Sequence, residues 1–226
     1  EMRAEATQEP VARGVLFARV ATLRGNRGDT EGALAAYSAS FSADPSNREV
    51  FTAFERITYK AERWIVAMQL YEQAIRHVEG GASRAYRLGD LYLRRGNVQL
   101  NFLGKPEEAI ASYQKVIEVD SQPGLAVKSL EDLCKARGDY APLIEAYDRR
   151  ADHQKDPQRK TDALRTAAAL ADSHQGGKAS VVFIKKLLAL DPKDLAAQRT
   201  LEKFYDTNQD KTGLVEVQAM TNALRL

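Results

Sequence analysis

Cysteine is nearly absent from this sequence, and its side-chain charges almost cancel. The 226 residues include one cysteine, which excludes an internal disulfide framework and a metal site built from several cysteines. Lysine and arginine number 33 against 31 aspartates and glutamates, a net charge of +2. General nucleic-acid binders carry a larger positive excess, so we expect no nucleic-acid partner. No apolar run approaches the length that crosses a bilayer, so we expect no membrane span.

The patterns of common catalytic and metal sites are missing as well. His77, His153 and His174 are scattered along the chain with no spacing that suits a metal ion. The run Gly176-Gly177-Lys178 lacks the upstream glycine and the following Ser or Thr of a phosphate-binding loop, and it is predicted to be a turn between helices. We therefore predict that the protein is not an enzyme and uses no metal and no cofactor.

What the sequence does contain is a recurring pattern of small and aromatic residues. Ala33 and Tyr37 reappear 34 residues later as Ala67 and Tyr71. A third copy holds Ala109 and Tyr113, preceded by the stretch 84–92, which predicts a helix with Leu88, Gly89 and Tyr92 on one stripe. A fixed period of this length is typical of repeat proteins.

This recurrence resembles the tetratricopeptide repeat, a helix–turn–helix unit. The resemblance implies an all-α fold, a right-handed α-solenoid of about six such repeats. The units start near residues 14, 48, 82, 124, 161 and 195, and they form a single superhelical domain over 1–226. The loosely matched, alanine- and arginine-rich repeats suggest a bacterial multi-repeat protein. Because the sequence begins with Glu1 and not with Met, we expect it to be part of a longer chain.

The third unit departs from the pattern by an insertion at 97–104. Gly96 and Gly104 both resemble the turn glycine, so the extra residues either lengthen the two helices or form a protruding loop. The insertion is rich in apolar residues: Val98, Leu100, Phe102 and Leu103. They either pack against the protein's own surface or form an exposed element that docks a partner.

The last predicted helix carries Leu214, Val217, Met220 and Leu224 at helical spacing. Solenoids usually finish with a capping helix that has a polar outer face, and none follows here. Either the array continues beyond this sequence, or this uncapped C-terminal helix meets another chain and allows self-association.

In the tetratricopeptide family, the first helix of each unit lines the concave face. Carrying the inward positions onto this sequence gives a set of candidate partner-binding residues that is mostly basic. They are Arg19, Arg56, Tyr59, Lys60, Tyr86, Arg87, Arg94, Lys128, Lys135, Arg165, Arg199 and Lys203.

This lining favours an acidic peptide or partner protein, because guanidinium groups bind carboxylates through paired hydrogen bonds. The alternative is that these charges pair with inward carboxylates of the chain itself, such as Glu49, Asp90 and Asp132. Some family members hold a C-terminal carboxylate with Lys and Asn in the first unit. Ala18 and Thr22 stand at those positions here, so that clamp is absent.

Three functions compete. The leading one is a non-catalytic protein–protein interaction scaffold that binds a peptide or a partner protein in its concave groove. The alternative is the regulatory or substrate-selecting arm of a larger enzyme. The third is a helical-repeat RNA-binding module, which would need a recurring base-reading pair that the inward positions do not show. The single cysteine favours the cytoplasm. The periplasm is the alternative if an upstream signal has been removed.

Overall fold

The computed structural model describes residues 9–81 and 85–223, and all regular elements in those ranges are α-helices. The all-α class predicted from the sequence is therefore confirmed. The twelve helices of the described ranges form six helix–turn–helix hairpins. They are α1 (Pro10–Asn26) with α2 (Thr30–Ala43), α3 (Arg48–Lys60) with α4 (Trp64–Glu79), α5 (Leu88–Asn101) with α6 (Pro106–Val119), α7 (Gly124–Arg137) with α8 (Ala141–His153), α9 (Pro157–Gln175) with α10 (Gly177–Leu190), and α11 (Leu195–Thr207) with α12 (Lys211–Ala223).

Short polar side chains fix where several of these helices begin. The carboxylate of Asp29 accepts a hydrogen bond from the backbone N–H of Gly32 at 2.9 Å. The side chain of Asn47 accepts from the N–H groups of Glu49 and Val50, each at 3.1 Å. These contacts satisfy backbone donors that have no partner within the helix. They place the start of α2 and α3, and therefore the position of the hairpins they belong to.

One backbone feature recurs in the turn of all six described hairpins, namely a residue with positive φ. Glycine occupies this position in four turns, where it adopts the left-handed region without steric cost. The other two turns use a residue with a side chain, which is rare in this region. The six residues are Gly28, Glu62, Gly104, Gly138, Gly176 and Gln209, with φ of 81°, 54°, 63°, 69°, 88° and 55°.

The third hairpin corrects two expectations from the sequence. Gly96 is not a turn glycine, because it lies buried inside α5, which continues to Asn101. Gly104 alone takes the turn conformation. In addition, the helix begins at Leu88, so Ala85 and Tyr86 precede it. The insertion therefore lengthens the first helix of the hairpin. The stretch 82–84, which includes the expected start of the third unit, lies outside the described residues.

The apolar residues of the insertion pack largely on the protein itself. Val98 is fully buried, and the ring of Phe102 stacks on Trp64 with 3.8 Å between centroids and 9° between planes. Tyr59 meets both rings edge-on, at 5.2 Å from Trp64 and 6.3 Å from Phe102. The interpretation as self-packing is favoured, although 48% of Phe102 remains exposed.

The chain divides into two compact units, Glu1–Ser112 and Tyr113–Leu226. In the first unit, an aromatic cluster lies between hairpins, with Phe51 at 5.8 Å from Phe41 and 6.2 Å from Tyr71. In the second unit, a core joins α9, α10 and α11 through Leu164, Ile184 and Leu201, among other buried residues. The single domain over 1–226 and the predicted unit starts remain predictions.

The recurring tyrosines are packing residues, as the repeat pattern predicts. Tyr37, Tyr71 and Tyr113 are each buried, and Tyr147 packs partly buried against the core of the second unit. A buried aromatic side chain removes about 150–250 Å² of surface from water. The recurrence visible in the sequence is therefore the recurrence of interhelical contacts.

Two neighbouring arginines of α8 hold the end of α6. The guanidinium of Arg150 donates to the backbone carbonyls of Ile117 and Asp120, both at 2.6 Å. Arg149 lies 2.9 Å from Glu118, a carboxylate whose side chain is 1% exposed. Cationic groups at a helix C-terminus satisfy its unpaired carbonyls and complement its dipole.

The C-terminal helix α12 is only partly described by its side chains. Val217 is buried, and Leu214 packs against the same core. The side chain of Met220 and all of Leu224 lie outside the described residues. Self-association through this helix therefore remains a prediction.

The turn residues lead to a test of the repeat architecture. Replacing exposed Glu62 by glycine (Glu62→Gly) should stabilise the protein by about 0.5–1 kcal/mol, since the left-handed region is costly for a residue with a Cβ. The matched change in the opposite direction, Gly138→Ala, should destabilise by about 1 kcal/mol. Urea denaturation followed by circular dichroism measures both. Destabilisation by Glu62→Gly would contradict the assignment of the turn conformation.

Candidate functional site

In the first unit, α3 and the start of α5 enclose a cavity of about 360 Å³. Helix α3 buries Val50, Phe51 and Phe54, so its opposite face is left to polar and charged residues. The cavity combines three arginines, two carboxylates and two aromatic rings. Its lining is Arg48, Phe51, Thr52, Glu55, Ala85, Tyr86, Arg87, Asp90, Leu91 and Arg94.

Glu55 forms an ion pair with Arg94, one of the predicted site residues. Nη1 of Arg94 lies 2.7 and 2.5 Å from the two carboxylate oxygens of Glu55, and the Tyr71 hydroxyl donates to the same group at 2.6 Å. Burial lowers the pKa of Arg94, but the hydrogen bond and charge of Glu55 outweigh it and raise the pKa. Burial, together with Glu55 and Tyr59, raises the pKa of Tyr71. Arg94 therefore stays charged, and it is already engaged within the protein.

Tyr86 lines the cavity and also packs against the aromatic cluster. Its ring lies 4.8 Å from Phe51 and 6.4 Å from Phe41. Burial, with a smaller contribution from the charge of Asp44, raises the pKa of its hydroxyl. Within the described ranges that hydroxyl is buried without a hydrogen-bond partner. The neutral phenol is therefore held on the aromatic cluster while the residue borders the cavity.

The cavity belongs to a longer groove along α3. Arg48 and Thr52 also line a neighbouring space with Arg56. Glu49 and Ala53 then connect that space to an apolar cavity of about 610 Å³ between α1 and α3. This third part is bordered by Val15 and Leu23, together with Ala18, Arg19, Thr22, Tyr37, Asn47 and Val50. We call the three adjoining spaces the α3 groove.

The second unit has clefts of its own. Arg165 borders a cleft of about 250 Å³ between α9 and α11, and its Nη2 donates to the Asp194 carboxylate at 2.8 Å. Arg199 and Lys203 border a larger cleft of about 670 Å³ at the start of α10. Two more lining residues of that cleft are Lys178 and Phe204.

The structure thus brings some predicted site residues together and leaves others apart. Arg19, Arg56, Tyr86, Arg87 and Arg94 line the α3 groove, while Arg165, Arg199 and Lys203 line the clefts of the second unit. The remaining four residues border none of these five spaces. Lys60, Lys128 and Lys135 are exposed, and Tyr59 lies in the aromatic cluster with Trp64.

Sequence reasoning missed three basic or acidic members of these sites. Arg48 stands at the first position of the second unit, where no inward role was predicted. Glu55 is the partner of Arg94, and Lys178 lies in a run interpreted only as a turn. The structure places Lys178 in the first turn of α10, and the available signal was its place directly after Gly176-Gly177.

Within 9–81 and 85–223, no group of three or more His, Cys, Asp or Glu side chains is arranged to hold a metal ion. No helix in the same ranges is both long enough and apolar enough to cross a bilayer.

Comparison with known proteins identifies one repeat directly. Residues 82–123 match the tetratricopeptide repeat family model, which covers the third hairpin and its insertion. The proteins of this family are generally non-catalytic interaction modules. No curated protein matches the sequence.

Similar solved structures are distant and superpose loosely. The MamA protein is 18% identical, with 80% of this chain and 92% of that chain covered and a TM-score of 0.41. YrrB, described as a TPR protein with an unusual peptide-binding site, is 18% identical over 88% and 95% at a TM-score of 0.40. The TPR2AB domain of yeast Sti1, solved in a complex with pHSP90, is 10% identical over 92% and 89% at 0.39. The likeness to the tetratricopeptide repeat is therefore shown for residues 82–123.

The Arg165–Asp194 pair predicts a pH dependence of stability. The hydrogen bond from Arg165, with backbone N–H groups of α11, lowers the pKa of Asp194. A carboxylate with a depressed folded-state pKa stabilises the protein above its unfolded pKa of about 3.9, and the contribution is lost as the pH falls through the folded value. Asp194→Asn, which preserves a capping side chain, should therefore cost about 1–2 kcal/mol at neutral pH.

The measurement is urea denaturation at several pH values. The difference between wild type and Asp194→Asn should shrink steadily below about pH 4. Exposed Asp206 on the same helix supplies the control, because it makes no ion pair within the described ranges. A difference for Asp194→Asn that is constant with pH would contradict the charged pair.

Proposed function

We propose that this chain, a tetratricopeptide-repeat protein, is a non-catalytic interaction scaffold that holds an extended acidic segment of a partner protein in the α3 groove. The coarser part, a role in protein–protein interaction, is supported by the match of residues 82–123 to the tetratricopeptide repeat. The ligand chemistry and the groove are our proposal. The observation that carries it is the set of exposed arginines on one face of α3.

Arg48 and Arg56 are available for a ligand in a way that Arg94 is not. Both are exposed and border the groove, and neither makes an ion pair with a residue in the described ranges. A guanidinium binds a carboxylate through two parallel hydrogen bonds. An acidic segment would therefore supply the counter-charges that the chain gives to Arg94 but not to these two.

The groove is also prepared for binding before any partner arrives. Helices form most of its walls, with Ala85, Tyr86 and Arg87 before α5 forming the rest. Helix α3 is fixed at its start by Asn47 and buried along its inner face. Ordering of side chains and loops is a large cost of association, so a preformed surface lowers that cost. The apolar part between α1 and α3 would accept an uncharged side chain of the same segment.

The other predicted residues fit this proposal to different degrees. Arg87 borders the cavity near Tyr86 and would extend the basic lining. Lys60, Lys128 and Lys135 remain predictions, since they border none of the spaces described above. The cytoplasm as compartment, with the periplasm as the alternative, also remains a prediction.

The test uses a fluorescein-labelled peptide in which glutamate alternates with leucine, and a counterpart with glutamine in place of every glutamate. The acidic peptide should bind more tightly, and rising salt should weaken it because exposed charges are screened. The double change Arg48→Ala with Arg56→Ala should weaken binding at the α3 groove about tenfold, since each solvent-exposed ion pair contributes about 0.7 kcal/mol. Fluorescence anisotropy measures all of these affinities.

Two further variants separate binding from folding. Lys155→Ala with Arg159→Ala removes the same charge from exposed positions outside the spaces described and should leave the affinity unchanged. Glu49→Gln removes a carboxylate that borders the groove and should tighten binding, which a damaged fold would not do. Equal affinity for the acidic and the glutamine peptide would refute the proposal.

A further inference from the structure

We propose that the second unit has its own binding site for an acidic peptide segment, in the cleft between the start of α10 and α11, so that one chain binds two such segments. This inference rests on the proposed function and extends it to a second, separate place. We call this space the α10–α11 cleft. It has a volume of about 670 Å³.

Three cationic side chains converge on the α10–α11 cleft from two helices. Lys178 is in the first turn of α10, whereas Arg199 and Lys203 are one turn apart on α11. All three border the cleft and are exposed. The charged lining includes a single carboxylate, that of Asp172. The cleft therefore has a positive excess, although the whole chain is nearly neutral.

These cations lack the intramolecular partners that other basic residues of the unit have. Arg165 pairs with Asp194 at 2.8 Å, and Lys186 pairs with Asp148 at 2.5 Å. Within the described ranges, Lys178, Arg199 and Lys203 form no ion pair. Like charges four residues apart on a helix are destabilising, so the placement of Arg199 and Lys203 does not serve the helix itself. Bound carboxylates would offset their repulsion.

The geometry of the cleft is fixed by close packing at its base. A Cβ placed on Gly177 would lie 3.0 Å from Cδ2 of Phe204, so the start of α10 and α11 are in direct contact there. This contact holds Lys178 next to the face that carries Lys203. The half-buried ring of Phe204 gives the cleft an apolar surface beside the cations.

The lining favours a peptide over other anions. Phe204 can contact an apolar side chain of a peptide while the cations bind carboxylates on the neighbouring residues. The hydroxyls of Thr200 and Thr207 already donate to backbone carbonyls of their own helix. A segment that alternates acidic and apolar residues therefore matches the cleft in both charge and surface.

Isothermal titration calorimetry of the full chain with the glutamate–leucine peptide tests the inference. We expect two bound peptides per wild-type chain. Arg199→Ala with Lys203→Ala should weaken binding at the α10–α11 cleft about tenfold and leave the α3 groove unchanged, and Arg48→Ala with Arg56→Ala should do the reverse. Lys193→Ala, which removes an exposed cation outside the cleft, should change neither affinity. Circular dichroism confirms that each variant remains helical.

The outcomes separate this inference from the proposed function. One bound peptide in the wild type, weakened by the α3 variants and unaffected by those of α11, would refute the second site and leave the first intact. No binding at all would refute both. Tighter binding by Asp172→Asn, about threefold at the second site, is expected because a repelling carboxylate is removed. Stronger binding of single-stranded RNA than of the peptide at this cleft would overturn the choice of ligand.

Discussion

The reversal of the chain within each hairpin depends on one residue with left-handed backbone. In the described ranges this residue recurs in all six hairpin turns, from Gly28 to Gln209. Because it brings the second helix back along the first, it decides which apolar stripes face each other. The buried tyrosines follow from that register. Where the turn uses Glu62 rather than glycine, packing of the flanking helices overrides the local preference of the backbone.

The charges of the grooves fall into two groups, and this division defines the candidate sites. Arg94 and Arg165 are held by Glu55 and Asp194, so their role is to tie neighbouring hairpins together. Arg48, Arg199 and Lys203 have no such carboxylate in the described ranges. A nearly neutral chain can therefore present two local surpluses of positive charge. The net charge of the whole chain does not reveal these local surpluses.

The sequence predicted the helical hairpins and their packing residues because these depend on local patterns. The spacing of Tyr37, Tyr71 and Tyr113 reports which side of each helix is buried. It could not predict the ion pairs, since Arg94 and Glu55 are 39 residues apart and meet only in the folded unit. It also could not decide between Gly96 and Gly104 as the turn. Both glycines are compatible with a turn locally, and the longer helix is the one that buries Val98 and Gln99.

The stack of Trp64 on Phe102 has a spectroscopic consequence. Trp64 is the only tryptophan of the chain, and it lies in the first compact unit beside Tyr59. Its emission therefore follows the environment of the second and third hairpins alone, whereas the far-ultraviolet signal sums every helix. Thermal curves recorded with the two probes would coincide only if both halves of the chain melt together. Trp64 therefore reports whether the two units unfold cooperatively.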